Sequence, residues 1–399
     1  YGIIIRNKNE LNRILEKEVD TLYSGSAQSV NIKEGSIYLA DVNRSTVEIG
    51  VIEQGAYQPL SVAEIPGYEI TLHDWSNDAH HLYLTARRGV SNYLFAVNTR
   101  SGECQQLTDD VRIVSSHLHT AGARSFHKEQ SVLFPYGGPT EPMELWKWSG
   151  DGTLEKLTHF HSSILRSPLP EVRVVCYESE GFTIESLLVL PDSYNPKKRY
   201  PTLVFLHGGP EGRTIADFTE LNSAVGQSAA FYLSRHGYAV FLPNFRGSSG
   251  YGAEFESELG NLNLLLKPFK DVMAGVDHLV ELGITDPDAV AIYGFSYGAG
   301  LSTWSVSQTD RFKGAIGICG IHDMLHFDRD SGVPIYALRP NRLGDASPHH
   351  MWLNPHMYKQ LSALENVNNI RTPVLLMETG GERGWHGSYW TSWAKTLFY

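Results

Sequence analysis

The stretch Ala289-Val-Ala-Ile-Tyr-Gly-Phe-Ser-Tyr-Gly-Ala-Gly300 decides the fold of the second half of the chain. Small and apolar residues lead into Gly294-Phe-Ser-Tyr-Gly298, and a helix-compatible run follows at residues 301–306. G-x-S-x-G between a buried strand and a helix predicts a strained turn that lifts the serine hydroxyl clear of the sheet. Both glycines are needed because a Cβ at either position would collide with the neighbouring strand or helix. The pattern indicates Ser296 as a nucleophile; a glycine-rich turn without chemistry is the alternative.

Composition excludes several classes of function. The 399 residues suffice for two domains, and 42% hydrophobic with 19% charged residues is typical of a globular protein. A net charge of −11 argues against nucleic acid or an anionic membrane as partner. No apolar run approaches the roughly 18 residues of a membrane helix. Cys104, Cys176 and Cys319 are too widely spaced to predict disulfides or a metal site, and they favour a reducing, cytoplasmic compartment.

Residues 1–168 repeat a β pattern. Strand-like runs occur at residues 37–40, 82–85 and 132–135. Each is followed by a second apolar stretch and by a glycine turn that closes on Leu-Ser or Leu-Thr, with turn glycines at Gly55, Gly102 and Gly152. The period of about 50 residues predicts one four-stranded propeller blade per repeat, whereas a β-sandwich would not repeat its turn chemistry.

Three complete repeats follow an incomplete one at residues 1 to about 25. They predict an incomplete propeller of three to four blades, since propellers close with about four to eight blades. Residues 75–78 (Trp-Ser-Asn-Asp) resemble the turn that precedes a strand in such blades. Histidines also lie near the turns, at His73, His80, His81, His117 and His119. They have no accompanying carboxylate or cysteine pattern, so we expect no metal.

Residues 169–399 alternate between strand and helix patterns. Predicted strands lie at residues 181–191, 202–206, 238–242, 289–292, 314–319 and 373–377, and predicted helices at 224–236 and 272–282. This alternation predicts a mostly parallel, doubly wound sheet. Together with the serine turn, it indicates an α/β-hydrolase fold.

The strand at residues 202–206 ends in His207-Gly-Gly-Pro210. A turn with two adjacent glycines brings backbone N–H groups close to the serine without obstruction, so Gly208 and Gly209 are predicted to form an oxyanion hole. The second donor is expected to be the N–H of Tyr297. His207 is not predicted to be the base, because the base follows the nucleophile in the chain order of this fold.

Four motifs carry a resemblance to a known family: HGGPEG (207–212), NFRGSSGYG (244–252), GFSYGAG (294–300) and NIRTPVLLM (369–377). In this order and at this spacing, the second half resembles the prolyl oligopeptidase family of serine peptidases, nearest to its acylaminoacyl-peptidase-like branch. The first half resembles that family's N-terminal β-propeller. The resemblance implies hydrolysis of short peptides without a metal or organic cofactor, with the propeller limiting access to a site between the domains.

The triad departs from the family pattern. The loop after residues 373–377, where the family has its acidic residue, contains no Asp, and Glu382 falls at the aligned position. A glutamate can orient the base in this fold; a solvated loop glutamate is the alternative. No residue occupies the position of the family's histidine, so we expect the base beyond Tyr399. The other interpretations are a pseudoenzyme, or His386 as base, which its closeness to Glu382 disfavours.

Substrate-binding candidates are drawn from three segments. Glu211 and Arg213 follow the oxyanion loop, although they can equally form a surface ion pair. Arg339 and Arg342 lie in a segment that resembles the family's active-site insertion and can hold a carboxylate or a carbonyl. Aromatic candidates for a pocket wall are Tyr251, Phe295 and Tyr297. The histidines between the last strands (His322, His326, His349, His350 and His356) are expected on a cap or at the surface.

The sequence thus predicts a two-domain serine hydrolase that cleaves short peptides through an acyl-enzyme. Because esters and amides share this chemistry, an esterase or an enzyme for cyclic or isopeptide bonds is a rival. A non-catalytic binding protein is a rival of another class. An oligomeric state is left open.

Overall fold

The structure is a computed structural model that describes residues 29–377, apart from residues 34–35, 44, 54–55, 77, 109–111, 115–123, 127–130, 163–167, 223–227, 260–262 and 325–354. The chain divides into two compact units, Tyr1–Ser167 and Pro168–Tyr399.

The first unit is built from β-strands. One sheet has the order β1-β2-β3-β4, with β1 (Ser29–Lys33), β2 (Ser36–Asn43), β3 (Thr46–Glu53) and β4 (Ala56–Glu64). The following strands are β5 (Glu69–Trp75), β6 (His81–Arg88), β7 (Ser91–Asn98), β8 (Cys104–Gln106), β9 (Ile113–Val114), β10 (Arg124–Phe126), β11 (Ser131–Gly138), β12 (Glu141–Ser149) and β13 (Leu154–Lys156). They form a second sheet of order β13-β12-β11-β9-β7-β6-β5, in which β8 pairs with β7 and β10 with β11.

Two of the three predicted repeats contain equivalent hydrogen bonds. Thr108 Oγ1 accepts the N–H of Leu94 at 2.9 Å, and Thr158 Oγ1 accepts the N–H of Leu145 at 2.9 Å. The threonine of each Leu-Thr closure therefore extends the pairing of the short strand before it (β8 or β13) with the adjacent strand of the sheet (β7 or β12). Strand β9 pairs with both β7 and β11, so these repeats belong to one sheet. A closed propeller stays a prediction.

The second unit carries the parallel sheet and its helices. The strands are β14 (Val172–Ser179), β15 (Phe182–Val189), β16 (Tyr200–Leu206), β17 (Ala239–Pro243), β18 (Thr285–Phe295), β19 (Ala315–Ile318) and β20 (Val374–Met377). The described helices are α1 (Phe218–Asn222), α2 (Ala230–Arg235), α3 (Ala253–Ser257), α4 (Asn263–Glu281), α5 (Tyr297–Ser305), α6 (Pro355–Gln360) and a 3-10 helix (Leu364–Asn369).

The sheet order is β14-β15-β17-β16-β18-β19-β20. Strands β14, β15 and β17 pair antiparallel, and every pair from β17 to β20 is parallel, which confirms the predicted mostly parallel sheet. Val204 and Leu206 of β16 share a core cluster with residues of α4 and α5. Phe205 lies on the opposite face against Tyr293, whose hydroxyl donates to Ser228 O just before α2. Helices thus cover both faces.

Two predicted helix boundaries were wrong or incomplete. Helix α4 begins at Asn263, well before the predicted start at residue 272, and includes Pro268. Helix α2 covers only the last part of the predicted stretch 224–236, of which residues 224–227 lie outside the described residues. The early start of α4 follows from tertiary packing, because Leu264, Leu265 and Pro268 are buried.

Candidate active site

The predicted strand, turn and helix around Ser296 are confirmed as local structure. Strand β18 ends at Phe295, α5 begins at Tyr297, and Ser296 between them has φ 55° and ψ −119°. A Cβ at Gly298 would lie 2.0 Å from Leu206 O, and one at Gly294 would lie 2.4 Å from the Gly298 carbonyl. Only glycine therefore permits this sharp turn between β18 and α5, the serine elbow. The Ser296 N–H donates to Ile318 O at 2.9 Å, which ties the half-buried serine to β19.

The His-Gly-Gly loop packs directly against this serine. A Cβ at Gly208 would lie 3.3 Å from Ser296 Cβ and 3.3 Å from Phe295 O. Gly209 has φ +125°, a conformation that L side chains rarely adopt. The two motifs that predict nucleophile and oxyanion loop therefore meet in space. Their N–H groups as oxyanion donors stay a prediction.

His207 lies beneath the loop as a structural residue. Its Nε2 is 2.8 Å from Ser248 Oγ, its Nδ1 is 2.9 Å from Gly208 O, and its ring stacks on Phe245 with centroids 4.3 Å apart. Burial lowers the pKa of His207 to about 4, so the ring is neutral near pH 7. These contacts agree with the expectation that His207 is not the base.

The motif NFRGSSGYG (244–252) supports the oxyanion loop. The buried amide of Asn244 accepts the Thr214 N–H at 2.6 Å and donates to Thr214 O at 2.9 Å, as a neighbouring strand would. Ser249 N–H donates to Gly212 O at 3.4 Å. With the Ser248–His207 contact, these bonds join the two motifs at several points.

A buried ion pair anchors this supporting loop. Arg246 has no exposed side-chain surface, and its Nη2 lies 2.6 Å from Oδ1 of Asp271 on α4, which is equally buried. Its backbone N–H also donates to Asp271 Oδ2 at 2.8 Å, and its Nη1 lies 3.0 Å from Glu180 Oε2. Sequence reasoning missed this pair, because its partners are far apart in the chain and no local pattern marks them.

Two aromatic candidates, Tyr251 and Tyr297, brace the structure through their hydroxyl groups. Tyr251 donates its hydroxyl to Glu185 Oε2 at 2.8 Å and accepts from the Asn244 amide at 2.8 Å. Tyr297 is 5% exposed, and its hydroxyl donates to Leu264 O. Neither residue lines the cavity beside Phe295. Their rings as pocket walls, and the backbone N–H of Tyr297 as an oxyanion donor, stay predictions.

Phe295 and Arg213 do line a cavity. It has a volume of about 230 Å³ and also contacts Gly208, His207 and Glu220. Glu211 is half-buried beside the loop but does not line this cavity. The cavity thus begins at the residue that precedes Ser296.

His322 was expected on a cap or at the surface, but the structure buries it in the core. It is 2% exposed, and its Nδ1 lies 2.8 Å from Thr303 Oγ1 on α5. Burial lowers the pKa of His322 to about 3. The chain can enter the core there because glycines allow close approach: a Cβ at Gly300 would lie 2.5 Å from Ile321 O. His356 is exposed, as expected.

Several predicted residues lie outside the described part of the chain: Glu382, His386, Arg339, Arg342, His326, His349 and His350. Among the residues that are described, no group of three or more His, Cys, Asp or Glu side chains is placed to hold a metal ion. Within the same residues, no helix is both long and apolar enough to cross a bilayer.

The parallel sheet, the serine elbow and the adjoining glycine loop define an α/β-hydrolase fold. Residues 225–383 match the model of the prolyl oligopeptidase family. An acylamino-acid-releasing enzyme of Arabidopsis thaliana is 26% identical over 353 residues, covering 78% of this chain and 43% of the relative. Dipeptidyl-peptidase 5 of Schizosaccharomyces pombe is 30% identical over 231 residues, covering 57% of this chain and 32% of the relative.

Solved structures share the fold. An acylaminoacyl peptidase in complex with Z-Gly-Gly-Phe-chloromethyl ketone superposes with a TM-score of 0.66 at 19% identity, covering 93% of this chain and 63% of that one. This chain spans less than half the length of the two curated relatives.

Proposed function

We propose that this chain is part of a serine peptidase that cleaves short peptides through an acyl-enzyme. The observation that carries the proposal is the placement of Ser296 on its elbow, with Gly208 packed against it. The names of two relatives, an acylamino-acid-releasing enzyme and a dipeptidyl-peptidase, support the same chemistry.

Ser296 Oγ attacks the peptide carbonyl carbon while a base accepts its proton. The resulting oxyanion accepts hydrogen bonds from backbone N–H groups of Tyr297 and of the Gly208–Gly209 turn. The C–N bond then breaks, the amine leaves with the proton, and an ester of Ser296 is left. Water hydrolyses the ester and releases the acid. In this proposal Glu382 orients the histidine that serves as base.

The proposal assigns residues 1–168 to a β-propeller that limits access to the peptidase. Support comes from the repeat of about 50 residues and from the equivalent hydrogen bonds of Thr108 and Thr158. Removal of a propeller that gates a peptidase should extend cleavage to longer peptides.

Activity-based labelling and peptide cleavage test the function together. One sample of the full-length protein is treated with a fluorophosphonate and mapped by mass spectrometry, and a second, untreated sample is given a peptide library scored for cleavage position. Labelling at Ser296 with peptide cleavage supports the peptidase. Labelling with cleavage of esters but of no peptide would overturn the substrate class, and absence of labelling would overturn the enzyme.

A further inference from the structure

The cavity beside the elbow has a polar end that the proposed mechanism does not use. It extends from Gly208 and Phe295, the neighbours of Ser296, to Glu220 of α1. Leu221 and Leu242 contribute apolar walls. At about 230 Å³ it is smaller than the roughly 300–1,000 Å³ of sites for drug-sized ligands. This volume suits a single amino-acid side chain.

The Glu220 carboxyl is fixed by its own loop. Its Oε2 accepts the Ile215 N–H at 3.1 Å, and its backbone N–H donates to Asp217 Oδ1 at 3.1 Å at the start of the helix. Among the described residues, Oε1 of Glu220 has no hydrogen-bond partner, and Glu220 lines the cavity. One carboxylate oxygen is thus held in place and the other is available to a ligand.

The charges around Glu220 favour a cation. Burial raises the pKa of Glu220 to about 7, the Asp217 charge adds to the rise, and the Ile215 N–H and Arg213 oppose it. The carboxyl groups of Glu220 and Asp217 are therefore accompanied by a single guanidinium, that of Arg213. His207 adds no charge, because its ring is neutral. A bound cation favours the ionised form of the Glu220 carboxyl. The apolar part of a cationic side chain would lie along the walls formed by Leu221, Leu242 and Phe295.

We propose that this cavity is a specificity subsite for a basic side chain, lysine or arginine, of the substrate residue beside the scissile bond, with Glu220 as its carboxylate partner. The proposal rests on the proposed function, because the cavity is placed relative to Ser296. It adds a substrate class that the elbow alone does not specify.

The test compares matched peptides that differ at one position, Lys against norleucine and Arg against citrulline, with the position varied on both sides of the bond. We expect kcat/KM to be about 10-fold or more higher for the cationic member at one position. In Glu220→Gln this preference should fall to about 2-fold. The exposed Glu254→Gln is the control and should retain the preference.

Fluorophosphonate labelling distinguishes failure of the subsite from failure of the proposed peptidase function. If wild type and Glu220→Gln are both labelled at Ser296 but no position prefers a cation, the subsite is wrong and the peptidase stands. The subsite is also wrong if Glu220→Gln slows both members of each pair equally while its labelling rate is unchanged. If wild type is not labelled, the proposed function and the subsite fail together.

Discussion

The hydroxyl of Tyr297, the residue after the candidate nucleophile, donates to the backbone carbonyl of Leu264. That carbonyl lies four residues before Pro268 in α4, and proline has no N–H to satisfy it. The tyrosine replaces the missing helical bond. Helix α5 is thereby joined to α4 at the point where proline interrupts the hydrogen bonds of α4.

Tyr297→Phe should lower the free energy of unfolding by about 1–3 kcal/mol, because it leaves the Leu264 carbonyl buried without its donor. Urea unfolding measures the change. In a Pro268→Ala background the same substitution should cost less, since the restored N–H of residue 268 can bond Leu264 O. Equal costs in the two backgrounds would contradict the relationship.

Ser248→Ala should slow acylation of Ser296 by up to about 10-fold, because it removes the hydroxyl that holds Nε2 of His207 beneath the oxyanion loop. The measurement is the rate of fluorophosphonate labelling. Ser249→Ala is the matched control, since only the backbone of Ser249 contacts the loop in the described contacts. Identical rates for the two variants would show that the histidine contact does not position the loop.

Arg246→Met should destabilise the second unit by about 3–5 kcal/mol, because it leaves Asp271 as a buried charge without its cation. Lys270→Met removes a neighbouring but exposed cation and should cost less than about 1 kcal/mol. Chemical denaturation of both variants checks the difference. A small effect of Arg246→Met would mean that the buried pair contributes little to this loop.

The hydrogen bonds to the Glu144 carboxylate predict that the first unit loses stability in acid. Burial alone would raise its pKa, but hydrogen bonds from Thr158 and from the N–H groups of His161 and Phe160 outweigh it and lower the pKa to about 2. A carboxyl with a lowered folded-state pKa stabilises above its ordinary pKa, near 4.5, and loses this effect as pH falls toward 2.

The difference in Tm between wild type and Glu144→Gln should therefore be largest at neutral pH and shrink between about pH 4.5 and 2. Thermal unfolding across this range measures it. Glu155→Gln changes an exposed glutamate whose carboxylate has no hydrogen bond among the described residues; it is the control and should show no such convergence. A difference that does not vary with pH would contradict the assignment.

The sequence predicted those parts of the fold that local chemistry determines. Glycine spacing and apolar runs were sufficient for the strand, turn and helix around Ser296 and for the parallel strands. The threonine closures of the β repeats were also visible, because each recurs at a fixed distance along the chain.

Long-range pairing was not predictable from the same patterns. In the sequence, Arg246 is part of a glycine-rich loop, and no local pattern predicts its ion pair with Asp271; only the fold brings the two side chains together. His322 reads as a surface residue in a polar stretch, and only the close approach at Gly300 brings it into the core. Pro268 suggests a helix boundary, but burial of its neighbours and the Tyr297 hydroxyl sustain the helix through it.

The most direct test of the central claim is fluorophosphonate labelling of wild type, Ser296→Ala and the control Ser249→Ala, read by peptide mapping together with peptide cleavage. The account predicts that wild type and Ser249→Ala carry the label on Ser296 and cleave peptides, and that Ser296→Ala does neither. Unlabelled wild type, or peptide cleavage that survives in Ser296→Ala, would contradict it.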